Sequence, residues 1–176
     1  MKTLAILFFF LVTAPDLEVF NFDKNSSLND WRIVDDVVMG GRSDGNFKIN
    51  DSGHGEFSGI VSLENNGGFS SVRYRFQTMD VSNFSKMIIR LKGDGKRYQF
   101  RLKSKQNERQ SYISYFETSG KWETIEIELS SMFPTWRGMT LDMPDFPGKT
   151  IEELAFLISN NKAETFKLEI DHISLK

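Results

Sequence analysis

The amino-acid sequence predicts an all-β domain, folded as a β-sandwich or jelly roll. Apolar and polar residues alternate with a period of two in many short segments, which is typical of antiparallel strands that cover a core on one face. Loops that carry Gly and Pro separate these segments. Helix-length segments do not recur between them, so the alternation of strand and helix that builds a parallel sheet is absent.

About ten strands follow from this pattern. In one of the clearest, Val72, Tyr74 and Phe76 would face the core, whereas Arg73 and Arg75 would face solvent. In chain order the predicted strands are Leu17–Phe22, Phe47–Ile49, Glu56–Leu63, Phe69–Phe76, Met87–Leu91, Arg97–Lys103, Tyr112–Phe116, Ile125–Leu129, Leu154–Ile158 and Phe166–Leu175.

One short helical turn is predicted near residues 150–153. Thr150 followed three residues later by Glu153 matches a capping box, in which each side chain satisfies a backbone N–H group of the first turn. The turn would lead directly into a strand. The sequence shows no repeat or linker, so residues 17–176 are predicted to form a single β-sandwich domain.

The first residues resemble a secretory signal. Lys2 precedes an apolar run from Leu4 to Val12, which is too short to span a bilayer but long enough for the apolar part of a signal peptide. Residues 1–14 are therefore predicted to be a signal-type segment, and the protein to be exported to the periplasm or cell surface. If the segment is not a signal, a cytoplasmic location is expected. No transmembrane span is predicted.

Composition excludes several classes of protein. The chain has 176 residues, no Cys and two His, so disulfide scaffolds, thiol catalysis and multi-histidine metal sites are excluded. The 23 aromatic residues are too many for a disordered chain. The net charge of −2 gives no support for a nucleic-acid partner. We expect no cofactor, no nucleic acid and no enzymatic activity.

Two motifs could suggest catalysis. Gly41–Gly45 matches the G-x-S-x-G pattern of serine hydrolases, but a strand rather than a helix is predicted to follow it. The paired carboxylates Asp35 and Asp36, and the pair Asp142 and Asp145, could suggest a glycosidase. Adjacent carboxylates point to opposite faces of an extended chain, so a turn-capping role for the first pair is favoured.

Three other patterns could suggest ligands. Seven Lys and Arg residues lie between Arg90 and Lys105, and they could form an anion-binding surface or pair with the acidic strand Glu123, Glu126 and Glu128; the second interpretation is favoured. The three Trp residues, Trp31, Trp122 and Trp136, could stack on a sugar. Trp122 is expected in the core, whereas Trp136 is expected in an exposed loop beside Arg137, where it could contact a sugar or a protein.

A calcium ion is a weaker possibility. Glu18 and Asp171 would supply two carboxylates near the first and last strands, but calcium takes six or more oxygen ligands. No metal is therefore expected.

Glycine is concentrated in about one sixth of the chain. Eight of the 13 Gly residues fall between Gly40 and Gly68, and four of these eight form the adjacent pairs of two loops, Gly40-Gly41 and Gly67-Gly68. Adjacent Gly residues permit positive φ angles and close approach of the backbone, so the loops could shape a binding site or simply turn the chain.

These loops carry a resemblance to a known family. The sequence resembles the complex I intermediate-associated protein 30 family, first in a segment with Trp31, Asp36, Met39-Gly40-Gly41 and Ser43. Further matching segments include Phe57-Ser58-Gly59, Asn66-Gly67-Gly68-Phe69, Ser71-Val72-Arg73, Gly93-Asp94-Gly95, Arg137-Gly138 and Ile170-Asp171. They run in order from about residue 17 to the C-terminus.

The resemblance implies a galactose-binding-like jelly roll and a non-catalytic role as an assembly factor or chaperone for a larger complex. A protein partner is expected, with carbohydrate bound by an exported module as the alternative. We call the predicted binding site the rim surface. Its residues are Asp36, Met39, Gly40, Gly41, Ser43, Asn66, Gly67, Gly68, Phe69, Arg73, Trp136, Arg137 and Gly138.

Overall fold

The computed structural model describes residues 16–176, apart from the side chains of Val38 and Met39. The predicted signal-type segment lies outside the described residues. The strands are β1 (Leu17–Asn21), β2 (Trp31–Asp35), β3 (Asp44–Ile49), β4 (Gly55–Val61), β5 (Ser70–Asp80), β6 (Lys86–Lys92), β7 (Arg97–Lys103), β8 (Ser111–Glu117), β9 (Trp122–Glu128), β10 (Phe133–Trp136), β11 (Met139–Thr140), β12 (Thr150–Ile158) and β13 (Glu164–Leu175). Three short 3₁₀ helices cover Asp36–Met39, Glu64–Asn66 and Leu129–Ser131.

The strands form two antiparallel sheets, as the alternating pattern predicts. Sheet A has the order β3-β4-β13-β6-β9, with β1 beside the second half of β13. Sheet B has the order β11-β10-β8-β7-β12-β5-β2. Consecutive strands frequently lie in different sheets, which is how a jelly roll closes its core.

One apolar core lies between the two sheets. Sheet A contributes Phe57 and Ile89, and sheet B contributes Phe100 and Phe156, all of them fully buried. In each strand the alternate residues point away from the core, so the outer face of each sheet carries most of the charged side chains.

The helical turn predicted near residues 150–153 is wrong, because these residues begin β12. Glu152 accepts hydrogen bonds from Thr78 Oγ1 at 2.7 Å and from the Gln106 amide at 2.9 Å. Glu153 accepts one from Arg75 Nε at 2.6 Å. Residues from other segments of the chain therefore bind both carboxylates. In a capping box, the Glu153 carboxylate would instead accept a hydrogen bond from a backbone N–H group of its own turn.

The sequence pattern missed β2, β10 and β11. β10 contains Pro134, which cannot donate a hydrogen bond to a neighbouring strand and is usually read as a sign of a loop. β2 has two adjacent apolar residues, Ile33 and Val34, which interrupt the alternation, and β11 has only two residues. β2 and β11 are the two edges of sheet B, and β10 lies next to β11.

Candidate functional site

The outer face of sheet B forms a cleft, which we call the sheet-B cleft. The strands β5, β7, β8 and β12 supply its floor, and the loops around Arg109 and Arg137 supply its sides. Its lining comprises Phe69, Arg73, Gln99, Arg101, Lys103, Arg109, Ser111, Ile113, Tyr115, Phe133, Thr135, Trp136, Arg137, Gly138, Thr140, Leu157 and Ser159.

The period of two decides which side chains reach this cleft. On β7, Tyr98, Phe100 and Leu102 enter the core, so Gln99, Arg101 and Lys103 face outward. The same alternation on β8 and β5 adds their outward residues to the floor. The floor is therefore a fixed array on a rigid sheet rather than a set of mobile loops.

The cleft is strongly cationic. Five of the 22 Lys and Arg residues line it, whereas no Asp, Glu or His of the described chain does. Burial, with a smaller contribution from the neighbouring cation Arg73, lowers the pKa of Arg101 to about 10. Burial also lowers the pKa of the Lys103 ammonium. The array therefore holds its positive charges at an energetic cost.

Aromatic rings stand among these cations. The guanidinium carbons of Arg109 and Arg137 lie 4.4 and 4.8 Å from the centroid of the Trp136 ring. Arg97 lies 4.8 Å from the Tyr115 centroid, and 46% of the surface of Tyr115 is exposed. The cleft thus combines apolar contact area with positive charge.

A second cluster, the Asp36 clamp, joins the two Gly-rich loops. The fully buried Asp36 carboxylate accepts hydrogen bonds from the Ser43 amide at 3.0 Å, the Ser43 hydroxyl at 2.5 Å, the Gly68 amide at 2.6 Å and the Phe69 amide at 3.2 Å. Burial raises its pKa, but these hydrogen bonds outweigh burial and hold the pKa below its ordinary value of 3.8.

Two glycines permit this clamp. A Cβ atom at Gly41 would overlap the Asp36 carboxylate, and one at Gly67 would lie 2.6 Å from Asp36 Oδ2. The neighbouring Asp35 acts similarly, since its carboxylate accepts the Gly45 amide at 2.9 Å. Both carboxylates are buried, and both stabilise the local backbone by accepting hydrogen bonds from its amides.

The structure divides the predicted rim surface into two groups. Phe69, Arg73, Trp136, Arg137 and Gly138 line the sheet-B cleft. Asp36, Gly40, Gly41, Ser43, Asn66, Gly67 and Gly68 belong to the Asp36 clamp and its turns. The Met39 side chain lies outside the described residues.

Sequence reasoning missed the centre of the cleft, including Arg101, Lys103 and Tyr115. The signal was present in the basic face of β7, but pairing with Glu123, Glu126 and Glu128 was favoured for it. That pairing is wrong for β7, because the acids lie on β9 in the other sheet, where Glu126 and Glu128 pair with Lys86 at 3.0 and 3.1 Å.

The three Trp residues have different positions. Trp31 is a core residue. Trp122 is half-buried outside the core cluster, with its ring 4.5 Å from that of His54, so the expectation of a core position is wrong. Trp136 ends β10 at the side of the cleft.

The residues considered for a hydrolase site and for a calcium site lie in structural contacts. The Ser43 hydroxyl of the G-x-S-x-G motif is buried against Asp36, and a strand follows it. The Asp171 carboxylate lies 3.6 Å from His54 Nε2 and 3.3 Å from Arg90 Nε, while Glu18 lies opposite Ser174. In residues 16–176 no three acidic or histidine side chains are grouped as a metal site would require.

None of the helices in the described part of the chain is both long and apolar enough to cross a membrane.

Comparison with known proteins gives one family. The family model described as "Complex I intermediate-associated protein 30" matches residues 20–170. The mitochondrial complex I intermediate-associated protein 30 of Mus musculus is 23% identical over 185 aligned residues, covering 89% of this chain and 55% of that protein. The chain thus spans about half the length of this curated relative.

Solved structures share the fold. The family 11 carbohydrate-binding module of the cellulase Lic26A-Cel5E of Clostridium thermocellum has a TM-score of 0.66 and 20% identity, covering 93% of this chain and 95% of that one. The same kind of module in complex with a β-1,3-1,4-mixed-linked tetrasaccharide has a TM-score of 0.64 and 20% identity, covering 93% and 96%. At these identities the likeness shows the jelly-roll fold alone.

Proposed function

Because this chain belongs to the complex I intermediate-associated protein 30 family, we propose that it is a non-catalytic binding module that holds a segment of a partner protein in the sheet-B cleft. The role is that of an assembly factor or chaperone, which keeps a partner in a state ready to join a larger complex. The family supports the class of partner, and the cleft supports the surface used.

The single observation that carries this proposal is the composition of the cleft. Aromatic rings and guanidinium groups converge there on a rigid floor, and Trp, Tyr and Arg are the residues most enriched at the energetic centres of protein interfaces. Because the described lining contains no His, Asp or Glu, it lacks the side chains that most often act as general acids and bases. This composition favours binding over catalysis.

A site-specific cross-link tests the proposal. The substitution Tyr115→benzoylphenylalanine places a photoreactive group in the cleft, and Thr124→benzoylphenylalanine places the same group on the outer face of sheet A as a matched control. On irradiation in the cells that make the protein, we expect a discrete protein adduct from position 115 only. The absence of an adduct, or equal adducts from both positions, would contradict the proposal.

Carbohydrate binding is the second candidate function. It is favoured by the exposed Tyr115 and the nearby Trp136, which line a cleft on the fold shared with the family 11 modules. It would suit a protein exported through the apolar segment at Leu4–Val12. A glycan array tests it directly, and the Trp136→Ala variant should then lose the signal. Glycan binding without a protein adduct would make this the function.

Export is tested separately. Cell fractionation followed by N-terminal sequencing should find the protein in the periplasm or at the cell surface without its first residues. An intact chain in the cytoplasm would contradict export and would weaken the carbohydrate function with it.

A further inference from the structure

The cationic residues of the two sheets differ in how they are paired. In sheet A, all five strand Lys and Arg residues lie within 4.0 Å of a carboxylate: Lys48, Lys86, Arg90, Lys92 and Lys167. In β7 of sheet B, by contrast, none of Arg97, Arg101 and Lys103 has such a partner among residues 16–176. Among the described residues, Arg73 of the cleft pairs with Glu153, but the cations that β7 adds to the cleft have no carboxylate partner.

Arg101 shows this most clearly. Its neighbours across the strands are Ala155 on β12 and Ile113 on β8, neither of which carries a charge. Its guanidinium donates one hydrogen bond to Gln99 Oε1 at 2.6 Å and one to Thr135 Oγ1 at 3.4 Å. A guanidinium has five N–H donors, so three remain for a ligand.

The nearby carboxylate does not neutralise this charge. Glu153 is 3% exposed and is held by Arg75 Nε at 2.6 Å and by Arg73 at 3.8 Å. The Lys103 ammonium donates to the backbone carbonyl of Glu108. Arg109 and Arg137 lie over Trp136 and, within the described chain, have no carboxylate within 4.0 Å. Four cations of the cleft therefore have no carboxylate partner within the described chain: Arg101, Lys103, Arg109 and Arg137.

Resting on the proposed function, we infer that the partner segment is acidic and that Arg101 binds one of its carboxylates at the centre of the cleft. Arg109 and Arg137 at the side would bind further carboxylates, while Trp136 and Tyr115 would contact apolar residues between them. A guanidinium matches a carboxylate with two parallel hydrogen bonds, and in a partly buried site this pairing is strong.

A neutral sugar fits the cleft less well. It offers hydroxyl groups but no charge to offset the buried Arg101 cation. An acidic peptide with apolar residues can supply carboxylates to the cations and apolar side chains to the aromatic surface.

The test uses the full protein and two matched probes. One is a short fluorescein-labelled peptide of alternating Glu and Leu, and the other has Gln in place of every Glu. Fluorescence anisotropy should show binding of the Glu peptide, weakened by added salt, and binding of the Gln peptide weaker by about tenfold or more. Equal binding of both peptides, or no binding of the Glu peptide, would overturn the inference.

Variants assign the role of Arg101. Arg101→Met keeps the length of the side chain without its charge, and it should weaken binding of the Glu peptide by about tenfold to a hundredfold. The same variant should have an unchanged or higher Tm, because it removes a buried charge that lacks a partner. A lower Tm with unchanged binding would make Arg101 a structural residue and overturn its assignment.

Further variants guard against misfolding and against general charge effects. Arg109→Gln changes an exposed side chain and should also weaken binding of the Glu peptide. Lys48→Gln, on the outer face of sheet A, should leave binding unchanged. Equal losses from Arg109→Gln and Lys48→Gln would show general attraction between charges and overturn the inference.

Competition and cross-linking distinguish the possible failures. Displacement of the Glu peptide by oligogalacturonate or by an oligonucleotide at lower concentration than by unlabelled Glu peptide would overturn the inference in favour of that polymer. A protein adduct at Tyr115 that persists in Arg101→Met would overturn the inference while leaving the proposed function intact. Loss of the adduct in Arg101→Met alone, with Lys48→Gln unaffected, would support both.

Discussion

At the scale of single residues, Asp36 connects the two Gly-rich loops. One carboxylate accepts four hydrogen bonds from both sides of the clamp, and it is fully buried. Phe69, whose amide is one of the four donors, also lines the sheet-B cleft. Asp36 therefore holds a loop residue that forms one edge of the sheet-B cleft.

Asp36→Asn should destabilise the protein by about 2 to 4 kcal/mol, because charge-assisted hydrogen bonds are lost and an amide N–H group then faces backbone donors. Urea unfolding measures the change. Asp44→Asn, at an exposed position only eight residues away, is the matched control and should change the free energy of unfolding by less than about 0.5 kcal/mol. Equal effects of the two substitutions would show that the clamp contributes little.

The pH dependence of this effect has a defined sign. The pKa of Asp36 is held below its ordinary value of 3.8, so the ionised group stabilises the fold above that value. The contribution is lost as the pH falls through the lower pKa of the folded state. The difference in unfolding free energy between the natural chain and Asp36→Asn should be constant near neutral pH and shrink below about pH 4.

Glycine is required at Gly41 and at Gly40 for two different reasons, which are close packing at Gly41 and a positive φ angle at Gly40. Gly41→Ala places a methyl group against the Asp36 carboxylate and should cost about 1 to 3 kcal/mol through overpacking. Gly40 has a φ of +89° but open space around it, so Gly40→Ala should cost only about 1 to 2 kcal/mol of backbone strain. In an Asp36→Ala background, the cost of Gly41→Ala should fall and that of Gly40→Ala should not. Thermal unfolding of the two single Gly variants, of Asp36→Ala and of the two double variants measures these costs.

At the scale of elements, β2 is an edge strand held in place by aromatic packing. The Trp31 ring stacks on Tyr74 of β5 at 4.7 Å and 15°, and lies 4.8 Å from Phe47 of β3. Trp31 thus packs against a residue of each sheet. β2 ends at Asp35, directly before the Asp36 clamp, so this packing also sets where the clamp begins.

Trp31→Ala should cost about 3 to 5 kcal/mol, because it leaves a cavity between the sheets. Trp31→Phe should cost less, since it fills part of the space and removes a buried indole N–H group that has no acceptor among the described residues. Trp122→Ala, at the half-buried position, should cost less than about 1 kcal/mol. Chemical unfolding measures all three, and similar losses for Trp31→Ala and Trp122→Ala would contradict the assigned role of Trp31.

At the scale of the whole molecule, the two outer faces differ in charge although the net charge is only −2. Sheet A pairs its strand cations with acids, whereas the sheet-B cleft gathers cations without acidic lining residues. A nearly neutral chain can therefore present one strongly positive surface, and such a surface would attract the acidic partner that we infer.

Quenching of Trp136 fluorescence tests this asymmetry. In a Trp122→Phe variant, the remaining emission comes from the buried Trp31 and from Trp136, which lies among cations. Iodide should quench Trp136 more strongly than caesium does, and added salt should reduce the difference. Equal quenching by the two ions would contradict a positive cleft.

The sequence predicted the fold because burial on one face of a strand leaves a period of two in the chain. Ten predicted strands all lie within or overlap observed strands, and the family follows from the segments around the Gly-rich loops. The pattern failed where tertiary contacts override local preference. Thr150–Glu153 matches a capping box, yet β5 on one side of β12 and β7 on the other hold these residues in a strand.

By itself the sequence determined the sandwich, the orientation of the strand faces and the positions of the turns, since each depends on neighbours in the chain. Only the tertiary structure decided which basic strand meets which acidic one. Pairing across sheets depends on strand order, and the order places β7 between β8 and β12 while β9 lies in the other sheet. For that reason the residues directly opposite Arg101 on both neighbouring strands are uncharged, and no local pattern could have distinguished this cleft from a solvated basic strand.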